Sequence, residues 1–370
     1  MINAPSEKTK RIPELDGLRG VAILLVVSFH YINNQLVNSP NAIARILTKL
    51  TSFGWVGVDL FFVLSGYLIG TILISKKKSV NYFSTFYFRR IVRIIPNYFL
   101  LIFIFLLLLN ISYFSDSYFL TGNNVLPVWS YFAMTHNFYM AKLANLGNSA
   151  MSVTWSIGIE EQFYIVFPFI VYFLKDKWLL IVLILAIILA PVFRSMYTNW
   201  IPPYVLLNCR MDAISFGALI AYFNYHFDLL GWVSRNIRLL LLIMLLDILV
   251  CGVLFYKFQD LGVIRNTLFG IFFSGCLILA LTKKNTLYAT FLRNKLLGFV
   301  GTISYSLYLF HYMILGLMHH IYGKDIGIDN SRDIIISVAA FIVSILFSWA
   351  VYVKLETPMV NIGKRLRYEV

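Results

Sequence analysis

Charge is scarce in this chain. Asp, Glu, Lys and Arg make up 13% of the 370 residues and apolar side chains 59%, against a charged share of about 25% in soluble domains. With a mean hydropathy of +0.77, a soluble globular domain is excluded and a polytopic membrane protein is indicated. Cysteine is scarcer still: Cys209, Cys251 and Cys276 stand alone, without CxxC or Cys/His ligand spacing. Neither a disulfide framework nor a metal site is therefore expected. Acid is also short, 17 Asp and Glu against 31 Lys and Arg, giving a formal charge of +14. Such an excess can mark nucleic-acid binding, but here the basic residues gather in short segments between apolar runs, as the positive-inside rule requires, and no nucleic-acid partner is expected. The polar, basic start, Met1 to Pro13, leads into a stretch that contains arginine and lacks a small-residue cleavage site, which reads as a retained first span rather than a signal peptide.

Long apolar runs are what the chain has in abundance. Ten are long enough to cross about 30 Å of hydrocarbon, at 18–34, 55–75, 91–110, 155–174, 178–194, 204–224, 237–256, 263–282, 298–321 and 334–353. The expected fold is all-α, a single polytopic transmembrane helix bundle over residues 1–370 with about ten spans. Placing the N-terminus in the cytoplasm assigns 21 of the 31 Lys and Arg to inner segments, among them Lys8, Lys10, Arg11, Lys283 and Lys284. Eight fall in outer segments, including Arg194, Arg265 and Lys324, and Arg19 and Arg210 lie inside spans. Both termini are then cytoplasmic. The longest outer loop, Ile111 to Met151, has one basic residue, Lys142, and is rich in Asn, Ser, Tyr and Trp. Such side chains grip sugars, and they also populate interfacial belts.

The first span carries Arg19 near its start and His30 deep inside it. Eleven helical positions amount to about 20° of azimuth and about 16 Å of height, so both lie on one face. Arginine at the bilayer centre costs roughly 2.5 to 3.5 kcal/mol, which favours an inward-facing functional role; the alternative is snorkelling to headgroups. Depth sorts the other polar residues. His30 stands about 18 Å above the inner boundary, and Glu160 and Glu161 about 8 Å below the outer one, at a similar level. Asp59, Arg210, Asp212, His311 and Tyr312 fall near the same height. A histidine level with carboxylates is a general-base arrangement, the carboxylate fixing its tautomer and raising its basicity. Asp59, Arg210 and Asp212 could equally be ion pairs that hold helices together, His311 a satisfied core histidine, and one of the two glutamates structural, since helix neighbours point about 100° apart.

A second cluster is expected at the inner face. Arg89, Arg90 and Arg93 precede Pro96 at the start of the third span, and Arg19 reaches the same level. Guanidinium suits phosphate because its planar fork makes paired hydrogen bonds and keeps its proton. Plain anchoring accounts for Lys76 to Lys78; Glu356, before Thr357-Pro358, could counter one of the arginines. A phosphorylated cytoplasmic ligand with a long thin arm would join the clusters, its head at the arginines and its reactive end near His30.

These residues fall into ordered blocks: Glu14-Leu15-Asp16-Gly17-Leu18-Arg19-Gly20 with His30, Gly57 to Tyr67, Phe88 to Pro96, Trp155 to Tyr164, Arg210-Met211-Asp212 with Gly217, Gly298 with Ser304 to His311, and Glu356-Thr357-Pro358. Together they resemble the acyltransferase-3 family of integral membrane enzymes, over about Glu14 to Pro358. One small departure is Ile157-Gly158, where relatives more often have Leu-Ser. The resemblance implies transfer of an acyl group, acetyl foremost, from cytoplasmic acyl-CoA to a hydroxyl of an extracytoplasmic or lipid-linked glycan such as O-antigen or capsular polysaccharide, in a bacterial cell membrane. It implies His30 as the catalytic histidine, with Glu160 or Glu161 and Asp59 assisting. Arg90 and Arg93 are implied to hold acyl-CoA; the reading of the residues themselves adds Arg19 and Arg89 to that site and expects Arg210, Asp212, His311 and Tyr312 to line or brace the acceptor's route. Relatives also act on macrolides and nodulation oligosaccharides, and some move succinyl groups. The sequence ends soon after the tenth span without the esterase-like domain fused to many relatives, so transfer is expected to finish within the membrane unit or pass to a separate glycan-assembly protein. A glycolipid or proton-coupled transporter is the rival reading, lacking the internal repeats and paired Gly/Pro-broken helices of that class.

Overall fold

The computed structural model describes residues 12–39, 41–115, 118–121, 126–258, 260–282, 285–323 and 326–369, and the side chains of 115, 118 and 121 are not described. Lys8, Lys10, Arg11, Lys283, Lys284 and Lys324, counted above for orientation, lie outside these residues, as does part of the 111–151 loop. All the regular elements among the described residues are helical. The long ones are α1 (Pro13–Ser28), α2 (Gly57–Lys76), α3 (Tyr82–Leu109), α4 (Trp155–Phe173), α5 (Asp176–Ser195), α6 (Leu207–Phe227), α7 (Ile237–Phe258), α8 (Arg265–Thr282), α9 (Ser304–Ile321) and α10 (Ser331–Val351). Among the described residues, nine spans are long and apolar enough to cross a membrane, and a bent pair, Lys295–Thr302 with Ser304–Ile321, supplies a tenth. The protein is a multi-pass membrane protein.

Small residues set a close contact between α2 and α6. A side chain at Gly66 would overlap the carbonyl oxygen of Ile214, and one at Gly217 would overlap that of Val63. Close backbone approach through small residues is the usual source of helix association where lipid removes the hydrophobic drive. One end of the bundle gathers the basic segments: Arg293 bonds Glu14 at 2.7 Å, Lys77 donates to the Leu174 carbonyl, and the Asn81 amide donates to the Arg367 carbonyl at 2.8 Å. The start of α1, the turns after α2 and α4, and the C-terminal segment thus share one end. At the opposite end His136 is fully buried under the long loop, 3.0 Å from the Thr154 hydroxyl and stacked 4.9 Å from the Tyr131 ring. Burial pushes this imidazole down to about 4.

Several boundaries differ from the sequence expectation, and four differences bear on the site. The ninth span is not one helix: it bends by 75° at Ile303, where the preceding segment presses against α1 so closely that a side chain at Gly301 would overlap the Asp16 carbonyl. The third begins at Tyr82, nine residues before Ile91. Its aromatic first turns pack on the end of α4, with Phe83 4.9 Å from both Phe169 and Tyr172. The fourth crossing starts at Ser149, before Trp155. Arg194, assigned to an outer segment, belongs to α5 and is 4% exposed.

Candidate active site

Two cavities lie in series through the bundle. The larger, about 460 Å³, is lined by Arg19 of α1, Arg90 and Arg93 of α3, Glu160 and Tyr164 of α4, and Glu356. The early start of α3 explains how arginines reach it: Arg93 is eleven residues, about 16 Å, inside the helix instead of at its mouth. The Arg90 guanidinium lies 5.8 Å from the Phe86 ring and 6.0 Å from that of Tyr164. Among the described residues neither Arg90 nor Arg93 makes an ion pair, and Arg90 Nε is buried without a hydrogen-bond partner. Arg19 is paired with Asp16 at 2.9 Å. Glu356, which sequence offered as a counter-ion, instead accepts hydrogen bonds from Asn97 at 3.1 Å and Ser306 at 3.0 Å. It closes a π-helical turn, Tyr352–Glu356, a wide turn that is frequent at functional sites. Guanidinium without an ion pair, facing a chamber of about 460 Å³, is suited to polyanionic oxygen.

Arg89 is not brought to this cavity. Its Nε and Nη2 donate to the Leu366 carbonyl at 3.0 and 2.8 Å, and it lies over the Tyr368 ring. It ties down the C-terminal segment.

The second cavity, about 400 Å³, is lined by His30, Tyr312, Trp55, Trp155, Trp200, Tyr204 and Arg265 among others. His30 sits in another π-helical turn, Phe29–Asn33, and its Nδ1 is 3.0 Å from His311 Nε2. His311 Nδ1 faces two carbonyls, Leu307 at 3.0 Å and Tyr308 at 2.8 Å. Two acceptors at one nitrogen require a proton there. In the neutral pair His311 Nε2 is then a bare acceptor, His30 Nδ1 carries the proton donated to it, and the lone pair of His30 rests on Nε2. Tyr312 stacks on His30 at 4.6 Å, and Tyr31 donates to the His311 carbonyl at 2.9 Å. The arrangement resembles that of a base whose tautomer is fixed by a second group.

The orienting group is therefore a histidine and its carbonyls where sequence suggested a carboxylate. Glu160 faces the arginine cavity, its Oε2 accepting from Tyr164 at 3.2 Å, with Tyr164 also bonded to the Ser65 hydroxyl. The depth estimate failed because the fourth crossing begins at Ser149, which puts Glu160 about 16 Å from that end instead of 8. Glu161 lines neither cavity.

Asp59, Arg210 and Asp212 also lie off both cavities, in a buried network across four helices. Arg210 pairs with Asp59 at 3.0 Å and Arg194 with Asp212 at 2.9 Å, all four side chains at most 4% exposed. Asn266 and Thr267 of α8 complete it, Thr267 donating to Asp212 at 2.7 Å. Arg210 is further enclosed by Phe62, Trp155 and Tyr204, each within 5.6 Å of its guanidinium. The alternative of helix-holding ion pairs is the one this geometry favours.

The cavities share Val58 and Tyr308 in their walls. The Tyr308 hydroxyl donates to the Val153 carbonyl at 3.0 Å and is 2.7 Å from Ser156 Oγ. Sequence reasoning missed Tyr308, Arg265 and the tryptophans of the second cavity. Tyr308 had a signal, three residues before His311 and so on the same helical face; the tryptophans looked like interfacial anchors.

Among the described residues, up to ten crossings with polar groups facing two chambers define a membrane-embedded binding or catalytic unit. Its relatives are specific: the model of the family described as "Acyltransferase domain" matches residues 12–353, and the chain belongs to that family. It is similar to O-acetyltransferase OatA of Staphylococcus aureus (strain NCTC 8325 / PS 47), 26% identical over 366 residues that cover 94% of this chain and 57% of the relative. A protein of strain COL, SACOL0978, is 26% identical over 378 residues, 95% of this chain and 58% of its own length. The chain thus spans less than two thirds of these relatives. No solved structure matches.

Proposed function

We propose that the protein is a bacterial cell-membrane O-acetyltransferase that takes the acetyl group of cytoplasmic acetyl-CoA and transfers it to a hydroxyl of a surface or lipid-linked glycan. The observation that carries this reading is the meeting of an arginine-lined chamber and a histidine chamber at Tyr308 and Val58. The basic end faces the cytoplasm under the positive-inside rule, so both termini are cytoplasmic and the arginine chamber opens toward the donor. The CoA phosphates bind Arg90 and Arg93, with Arg19 at the same chamber. Its thin arm runs the roughly 16 Å of rise between Arg19 and His30, past Tyr308.

At the far end His30 Nε2 takes the proton from the acceptor hydroxyl as its oxygen attacks the thioester carbonyl. The C–S bond then breaks, the acetyl ester forms, and the leaving thiolate recovers the proton from His30. His311 holds the tautomer that leaves Nε2 open. The family and the names of the relatives support acyl transfer to oxygen.

Purified protein given acetyl-labelled CoA and a glycan fraction from the host envelope tests the reading. The expected result is CoA release that requires the glycan and a gain of 42 mass units per acetyl on it, both lost in His30→Ala at unchanged folding. Label retained on the protein in place of prompt transfer would replace direct attack by an acyl-enzyme route. A His30→Ala variant with undiminished turnover would end the proposal.

A further inference from the structure

The second cavity says more about its ligand than that it bears a hydroxyl. One wall is a run of aromatic faces: Trp155 lies 4.3 Å from Tyr204, and Tyr204 lies 5.7 Å from Trp200. Flat apolar faces beside the amide of Asn34 suit a ring with C–H groups on its faces and hydroxyls at its rim. The volume, about 400 Å³, falls in the range of small-ligand sites, roughly 300–1,000 Å³.

Charge is distributed unequally around it. Among the described residues, Arg265, at the start of α8, is the one Lys or Arg in the lining, and no Asp or Glu lines the chamber. Its nearest acid among the described residues is Asp260 at 3.9 Å, with the two side chains 39% and 65% exposed. A pair so exposed and so long contributes little, and Arg265 Nε is buried with no hydrogen-bond partner. The guanidinium is held 4.7 Å from the Trp55 ring, which orients it before any ligand arrives. The neighbouring buried acid, Asp59, is already paired with Arg210. Among the described residues, a positive group is therefore presented to the chamber with only a long, exposed pair to Asp260 to answer it.

We infer that the acceptor enters this chamber as an anionic sugar unit, its acid group on Arg265, its ring against the Trp155, Tyr204 and Trp200 wall, and the reacting hydroxyl toward His30. This rests on the acyl-transfer reading for the hydroxyl's role, and not for the binding itself. The acid is a carboxylate, as in a uronate, or a phosphate, as in a lipid-linked sugar.

Tryptophan fluorescence of the full chain in lipid nanodiscs, titrated with methyl glucuronide, glucose 1-phosphate and methyl glucoside, tests it and separates the two sources. At least one anionic probe binds tenfold or more tightly than the neutral glucoside. Arg265→Met removes that preference without weakening the glucoside, Arg265→Lys retains part of it, and Asp260→Asn leaves it intact. His30→Ala keeps the preference while losing acetyl transfer, so binding without transfer in the wild type counts against the enzyme reading and leaves the anion site standing. Equal binding of all three probes, no binding of either anion, or a preference unchanged in Arg265→Met overturns the inference.

Discussion

Arg210 and Arg93 are both arginines inside one helix bundle, with opposite surroundings. Arg210 is 1% exposed and answered by Asp59 in a network that includes a second pair, Arg194 with Asp212. Arg93 faces a chamber of about 460 Å³ and forms no ion pair among the described residues. Histidine repeats the contrast: His136 is sealed between Thr154 and Tyr131, while His30 is oriented by His311 with its other nitrogen left for a visitor. Where the fold supplies the partner the group serves the fold, and where it leaves the partner out the group awaits a ligand.

Removing a partner inside the closed network is the harshest way to break this comparison. Asp59→Asn strands Arg210 in the bundle and is expected to cost about 3–5 kcal/mol, read as a fall in melting temperature in nanodiscs. Asp59→Leu with Arg210→Met recovers most of it; full stability of Asp59→Asn alone would erase the distinction. Next in size is an effect of pH. The folded pKa of His136, about 4, lies below the ordinary 6.5, so between those values the unfolded chain binds a proton that the fold excludes. Stability is therefore intact above pH 6.5 and falls as pH drops toward 4, by up to about 3 kcal/mol at 1.36 kcal/mol per unit. His136→Gln should flatten that part of the melting-temperature profile.

The ligand-facing groups should respond in activity and not in stability. His311→Phe, which removes the acceptor for His30 Nδ1, is expected to lower kcat by about 100-fold, within the usual yield of a positioned base; His311→Gln keeps an acceptor oxygen and retains more. Arg93→Gln is the mildest. Losing one charge-assisted contact, about 1.5 kcal/mol, raises KM for acetyl-CoA roughly tenfold, with melting temperature unchanged. A large drop in stability of Arg93→Gln would move that arginine into the structural class.

How much of this could be read from sequence depended on what carried the signal. The ten apolar stretches marked the crossings, because bilayer thickness fixes their length. The placement of Arg19 and His30 on one helix face followed from helical geometry alone. Heights of residues on different helices did not follow, since they rest on knowing where each helix begins. The aromatic turn from Tyr82 and the short helix Ser149–Ser152 extended two spans, which carried Glu160 from His30's level to the arginine chamber. Partner choice was equally hidden: nothing local tells that Arg194 reaches Asp212, or that Arg89 and Arg90, adjacent in the chain, face the C-terminal segment and the chamber respectively.

The shared wall at Tyr308 and Val58 has a consequence for the cell that contains this protein. An open aqueous bore from one face of a membrane to the other would let protons and small ions run down their gradients. Two chambers that meet only at Val58 and at the Tyr308 phenol, itself pinned to Val153 and Ser156, put a constriction where such a bore would run. Under the proposed reaction, a group passed through that constriction would need no open channel, and the gradients across the membrane would be kept.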